Sequence, residues 1–376
     1  MLARSLTVAA SVGIATMAAG ALTSAQAPAR PRLSTGVLIG LHDPGSDPDP
    51  ADKNAQPPNA GRLRTVWIRL FDSQTPPKST ELPNLLVPRR SGFWRMGLVG
   101  ACEERKEVAG DGAVLGTATT VADYLWAVPV GRQPEVRLTD PELRLGRCVT
   151  RNLYCENNWR TSVYWVWPEY ASLEMGTRVE CGVHPDWTPG YTIRSLNDLA
   201  KPLTVGSVLG GVAENTFRKT FEGVDKHDED CGDKAAFQPD SWYMERDDGG
   251  WKVIGWSDTH RLCGYGVDYS VDVDPFAVTG HRDDEARWRS LKRRLPQLVD
   301  AHFSPGGQWT LAATTTELIV FEGTATDRPA IRMAKPSDEH VIMVEWATGN
   351  SVAPWDAEVL HLRNTEEPAP RLRQAH

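Results

Sequence analysis

The chain has no excess of positive charge and little that marks a metalloprotein, a nucleotide-binding enzyme or a membrane-spanning protein. Its 376 residues carry 41 Lys+Arg against 49 Asp+Glu, a formal net charge of −8. That balance lacks the basic footprint by which proteins hold nucleic acid. The six cysteines include no C-x-x-C pair, and no H-E-x-x-H occurs, so no metal-ligand set is legible and none is expected. There is no phosphate loop and no G-x-G-x-x-G, hence no cofactor is assigned. A G-x-S-x-G nucleophile elbow is also missing; Val205-Gly206-Ser207-Val208-Leu209 comes near and lacks the second glycine. No catalytic residue is assigned on these grounds. With 40% hydrophobic and 24% charged residues the chain is not disordered as a whole, and its length supports one large core or two modest ones.

What is present begins with an export signal. Met1–Ala27 holds a single charge, Arg4, then an apolar stretch from Leu6 to Leu22, then small residues. That order is a secretory signal peptide, because the apolar stretch is short of the roughly 20 residues a bilayer requires. Ala25 and Ala27 form an A-x-A pair, and Pro28 after Ala27 makes a cut after Ala25 the fallback. A secreted protein, periplasmic or extracellular, with no membrane span after cleavage is the expectation. In an oxidising compartment the even set Cys102, Cys148, Cys155, Cys181, Cys231 and Cys263 reads as disulfide candidates. Six cysteines allow fifteen pairings and the sequence does not choose among them.

Residues 28–62 are rich in Pro and Asp and read as a linker. From residue 63 strands dominate. Thr65–Phe71, Ser91–Val99, Tyr124–Val130 and Ser162–Trp167 are β-branched and aromatic, and the second is expected beside the first. Further strands are expected at Tyr191–Ser195, Trp242–Arg246, Trp251–Trp256, Thr310–Ala313, Leu318–Glu322 and Val341–Trp346. Two helices stand out. In Val208–Phe221 the residues Leu209, Val212, Ala213, Phe217 and Phe221 recur at helical spacing, with Ser207 as N-cap and Gly223 as stop. The second runs from Asp284 to Phe303 with Trp288, Leu291, Leu295, Leu298 and Val299 on its apolar face, kinked or split at Pro296. Its Arg and Lys residues form a solvated polar face. The fold expected is therefore α+β and β-rich, antiparallel sheets with two helices in two packed subdomains, residues 63–230 and 231–365, followed by a tail, 366–376. The acidic stretch Asp225–Asp230 is the expected loop between them. The turn from Phe303 to Trp309 resembles one in β-propeller blades. The tryptophans fall at irregular intervals, however, and no second segment copies the turn, so the repeat a propeller requires is not visible.

Residues 162–222 carry a resemblance. They run through Pro168-Glu169-Tyr170-Ala171-Ser172-Leu173-Glu174, Cys181-Gly182-Val183-His184-Pro185 and Tyr191-Thr192-Ile193-Arg194-Ser195-Leu196 to the first helix. The order resembles the extracytoplasmic module of bacterial peptidoglycan deacetylases and lysozyme-responsive anti-sigma factors. The resemblance implies an α+β module facing the cell envelope that binds wall glycan or a wall-directed enzyme, without catalysis.

The 14 tryptophans are the other resource. Exposed aromatics stack on sugar rings or anchor a protein partner, while buried ones fill a core. Trp165, Trp167 and Trp187, with Tyr170 and His184, are the candidate binding residues. Glu169 and Glu174 flank the aromatic strand and are the best carboxylates for glycan hydrolysis, which needs two acids at a set distance. Asp268, Asp272 and Asp274 alternate as acids on a strand face do. The expected function is a non-catalytic binding protein of the cell envelope or extracellular space, with cell-wall glycan or an extracellular protein as partner. The alternative is a secreted hydrolase acting on glycan.

Overall fold

The computed structural model describes residues 33–45, 61–71, 75–108, 114–138, 144–145, 153–181, 184–188, 190–223, 236–258, 266–275, 285–323, 326, 328–365 and 370–374. The signal segment and the acidic stretch Asp225–Asp230 lie outside them.

Five antiparallel meanders follow one another along these residues. The first orders β21 (His340–Thr348), β1 (Leu33–Asp43), β2 (Arg62–Phe71) and β3 (Lys78–Pro83). The second is β4 (Leu85–Arg89), β5 (Gly92–Val108) and β6 (Val114–Pro129). The third is β9 (Leu153–Val166), β10 (Tyr170–Cys181), β12 (Tyr191–Ser195) and β13 (Asp198–Pro202). Parallel pairing of β6 with β9 joins the second and third into one sheet, to which β8 (Arg144–Leu145) and β11 (His184–Thr188) add at the side. The fourth is β14 (Trp242–Asp247), β15 (Gly250–Asp258) and β16 (Gly266–Ser270). The fifth is β17 (Leu298–Phe303), β18 (Trp309–Thr314), β19 (Glu317–Glu322) and β20 (Pro329–Ala334). A small parallel pair, β7 (Glu135–Leu138) with β22 (Arg371–Gln374), completes the sheets.

This is a β-propeller arrangement, and it corrects the expected α+β fold of two subdomains. The last long strand, β21, pairs with the first, so the chain's two ends close one ring. The first sheet packs face to face with a meander on either side. On one face of the first sheet Val37, Ile39 and Ile68 share a core with Leu311 and Val320 of the fifth. On the other face Leu38 and Trp67 pack with Leu85 and Met96 of the second. A boundary near residue 230 would cut the first of these cores, which also contains Phe217, Trp242 and Val253.

β1 lies within the stretch expected as a linker. Val37, Leu38, Ile39 and Leu41 are fully buried there. A strand covered on both faces reads as a short apolar run rather than an alternation, and this one is masked by the Pro- and Asp-rich residues after it. The strand at 91–99 pairs with β4 and β6, not with β2.

The first expected helix is two, α1 (Val205–Leu209) and α2 (Gly211–Glu222), divided at Gly210 with φ +90°. Thr204, not Ser207, caps α1, accepting from the Ser207 N–H at 3.2 Å. Ala213, Phe217 and Phe221 are buried as expected, but Val212 is exposed. The second expected helix stops early, as α3 (Glu285–Arg294), because Pro296 disfavours helical backbone just before it. Residues 298–303 form β17 instead. A further helix, α4 (Val352–Arg363), was not foreseen; its Val352, Val359 and Leu362 cover the core of the first and second meanders.

Candidate functional site

A cluster of aromatic rings and carboxylates lies where the third and fourth meanders meet. Tyr164 on β9 donates its hydroxyl proton to Glu174 Oε2 on β10 at 2.9 Å. The ring of Tyr191 on β12 stacks on Tyr243 of β14, with centroids 4.3 Å apart and planes 20° apart. Tyr164 meets Tyr243 at 5.0 Å and Tyr191 at 6.1 Å, and Trp256 of β15 stands edge-on to Tyr191 at 5.9 Å. Strand register explains the convergence. Glu174 is directly opposite Tyr191. Between β9 and β10 Trp165 faces Ser172 while Val163 faces Leu173, so Tyr164 is the extra residue of a β-bulge. A bulge re-aims a side chain out of the regular alternation. Across β15 and β16, Trp256 is opposite Asp268.

The cluster has a buried floor and a wet rim. Tyr243 and Trp256 are buried. Tyr164, Glu174, Tyr191 and Glu245 are half-buried, and Asp268 is exposed. Burial pushes the Glu174 carboxyl up; the Tyr164 hydrogen bond opposes this and the Asp268 charge adds to it. Burial raises Glu245 too, with Lys252 opposing and Asp247 and Asp268 reinforcing. Burial also raises Asp268. Burial, with the neighbouring carboxylates, lifts Tyr191 to about 12 and raises Tyr164 and Tyr243 as well. The phenols are thus neutral at physiological pH beside carboxylates that share one negative field. Among the described residues no three His, Cys, Asp or Glu groups are placed to hold a metal ion.

A second polar cluster shares β14 with the first and is largely buried. Asp300 of β17 accepts from Arg246 of β14, Nε to Oδ2 at 2.9 Å and Nη2 to Oδ1 at 3.2 Å, and from the Ala301 N–H at 2.7 Å. His302 Nε2 lies 2.8 Å from Asp300 Oδ2, and its ring stacks on Trp165 at 5.5 Å. Arg246 sits over Trp251, which is edge-on to Trp165. Burial would raise the Asp300 carboxyl, but the His302 and Arg246 charges outweigh it and hold the group well below the usual carboxylate range. An Asp–His pair has the parts of a general base. Here the carboxylate is shared with Arg246 and the imidazole lies flat on an indole, so the cluster ties the third, fourth and fifth meanders together.

The predicted binding residues are distributed differently from expectation. Trp165 and Trp167 are buried core residues, 5% and 3% exposed, so no sugar ring reaches their faces from solvent. Tyr170 is half-buried against the same core. His184 and Trp187 are in β11, opposite Cys181 and Arg178; their side chains lie outside the described residues. So do those of Cys102, Cys155 and Cys181, while Cys148, Cys231 and Cys263 lie outside altogether. Glu169 accepts from Arg89 at the mouth of a hairpin and is not part of the ring cluster. Of the expected carboxylates, Glu174 and Asp268 belong to it. Asp272 and Asp274 are exposed beyond the end of β16. Tyr164, Tyr191 and Tyr243 were legible only as strand residues, since nothing local in the sequence brings positions 164, 191 and 243 together.

No protein-family model matches the chain, and no curated protein matches it in sequence. The described residues contain no helix long and apolar enough to cross a membrane.

Proposed function

We propose that this is a secreted binding protein of the cell envelope or extracellular space, and that it takes wall glycan at the tyrosine–carboxylate cluster between its third and fourth meanders. The observation that carries this reading is the half-buried pair Tyr164 and Tyr191, backed by the buried Tyr243, around the hydrogen-bonded Glu174. Tyrosine faces stack on the C–H faces of sugars, and carboxylates accept from hydroxyls. The export reading of Met1–Ala27 supports the location, and the resemblance of residues 162–222 to envelope modules supports the partner.

The test is co-sedimentation of the mature protein with intact peptidoglycan sacculi. Salt-resistant pelleting is expected, and Tyr191→Ala should weaken it about tenfold or more, the scale of a buried aromatic anchor. Absence of pelleting, or pelleting that Tyr191→Ala leaves unchanged, contradicts the proposal. The raised Glu174 carboxyl favours a second reading, a glycan hydrolase with Glu174 as general acid and Asp268 or Glu245 as its partner. Release of reducing sugar ends during the same incubation, lost in Glu174→Gln, would establish that reading instead.

A further inference from the structure

We infer that the tyrosine–carboxylate cluster recognises an organic ammonium group, so that a ligand bound there presents a cationic nitrogen to the rings. This rests on the cluster being the ligand site and adds the chemical class of the group it selects.

Three observations converge. Three tyrosine rings from two meanders lie within 4.3–6.1 Å of one another, with Trp256 edge-on to Tyr191 at 5.9 Å, and tyrosine and tryptophan faces attract cations through the ring quadrupole. Carboxylates of both meanders surround these rings: Glu174 is bonded to Tyr164, Glu245 is two residues from Tyr243, and Asp268 is opposite Trp256. Among the described residues Lys252 acts on Glu245, and its ammonium is already held by Asp247. Tyr164, Glu174, Tyr191 and Glu245 are half-buried, so the rim of the cluster is open to a ligand.

The form of the cation follows from the spacing. A small divalent metal ion needs six or more oxygen ligands drawn close around it. No three acidic or imidazole groups of the described residues are placed to hold a metal. A bulky, weakly hydrated ammonium suits that geometry, because it takes its stabilisation from ring faces and diffuse negative charge together.

The probe is choline, with 3,3-dimethylbutan-1-ol as its neutral isostere, titrated into the full mature chain and followed by intrinsic fluorescence and calorimetry. Choline should give a saturable response, and the isostere should bind about tenfold more weakly or worse, since it keeps the shape and loses the charge. Glu174→Gln, which keeps the size of the side chain, should weaken choline several-fold with an unchanged thermal midpoint. Tyr191→Leu should do the same by removing the π face while keeping apolar bulk; if it does not fold, Glu174→Gln decides alone. Equal binding of choline and its isostere, or no response to either, overturns the inference. The two proposals fail separately. Choline binding without pelleting on sacculi leaves the ammonium site standing and removes the wall ligand. Pelleting without any choline response does the reverse.

Discussion

Asp300 accepts from Arg246 and the Ala301 N–H, with His302 Nε2 2.8 Å away, and the carboxylate is buried. Removing one member of a buried ion pair leaves the other charge unpaired, at a cost of about 3–5 kcal/mol. Asp300→Ala should therefore lower unfolding stability by that order in urea melts, and a loss under 1 kcal/mol would show that the cluster does not bind the meanders together. The acid dependence has a definite sign. The folded carboxyl is held below its unfolded value of about 3.9, so its contribution is complete above that pH and is lost as pH falls below it. Asp300→Asn should flatten the fall in stability below pH 4 relative to wild type. At this scale the sequence was informative about residue type and silent about neighbours. Trp165 lies near the end of β9 and Trp167 just beyond it, and both are buried rather than presented to a ligand. Their burial depended on Trp251 and His302, about 85 and 135 positions further along, which no local pattern encodes.

Among the elements, the β14–β15 hairpin shows how turn chemistry fixes a packing contact. Asp248 and Gly249 have φ of +50° and +76°, the left-handed pair of a two-residue type I′ turn. A Cβ on Gly249 would also fall inside the ring of Trp288 on α3. Gly249→Ala should destabilise by about 2–3 kcal/mol, with strain and clash acting together. Thermal or urea unfolding checks this, and a neutral result would place α3 elsewhere than over this hairpin. The same helix shows where periodicity misleads. Trp288 and Leu291 are buried as the spacing predicts, but Leu295, Leu298 and Val299 prolong the pattern past the real end at Arg294. Beyond Pro296 the chain is a strand with a register shift at Val299: Leu298, Asp300 and Ala301 are buried while Val299 is half-exposed. The ten expected strands, by contrast, each overlap a strand of the fold, but β1, β3, β4, β10, β13, β16, β17 and β20 were not among them. Their partners were the harder part, because a register such as Glu174 against Tyr191 follows from a bulge and two hairpins rather than from composition.

For the whole molecule, the repeat was invisible because each interface between meanders is filled differently. Trp67 serves the contact of the first with the second, Trp165, Trp167 and Trp242 that of the third with the fourth, and Trp288 the cover over the fifth. Unequal strand numbers and hairpin lengths remove any fixed period. The ring is what holds β9, β10, β12, β14 and β15 in the arrangement that gathers the tyrosines, so the site depends on closure. Closure in turn depends on β1, in a stretch whose composition reads as a spacer. Amide hydrogen exchange tests this most directly, since exchange reports local opening free energy strand by strand. A closed ring predicts that Val37–Leu41 and Ile342–Val344 are protected together, to the same degree as Leu311–Ala313 in the fifth meander. Free exchange of residues 33–43 while the other strands stay protected would contradict it.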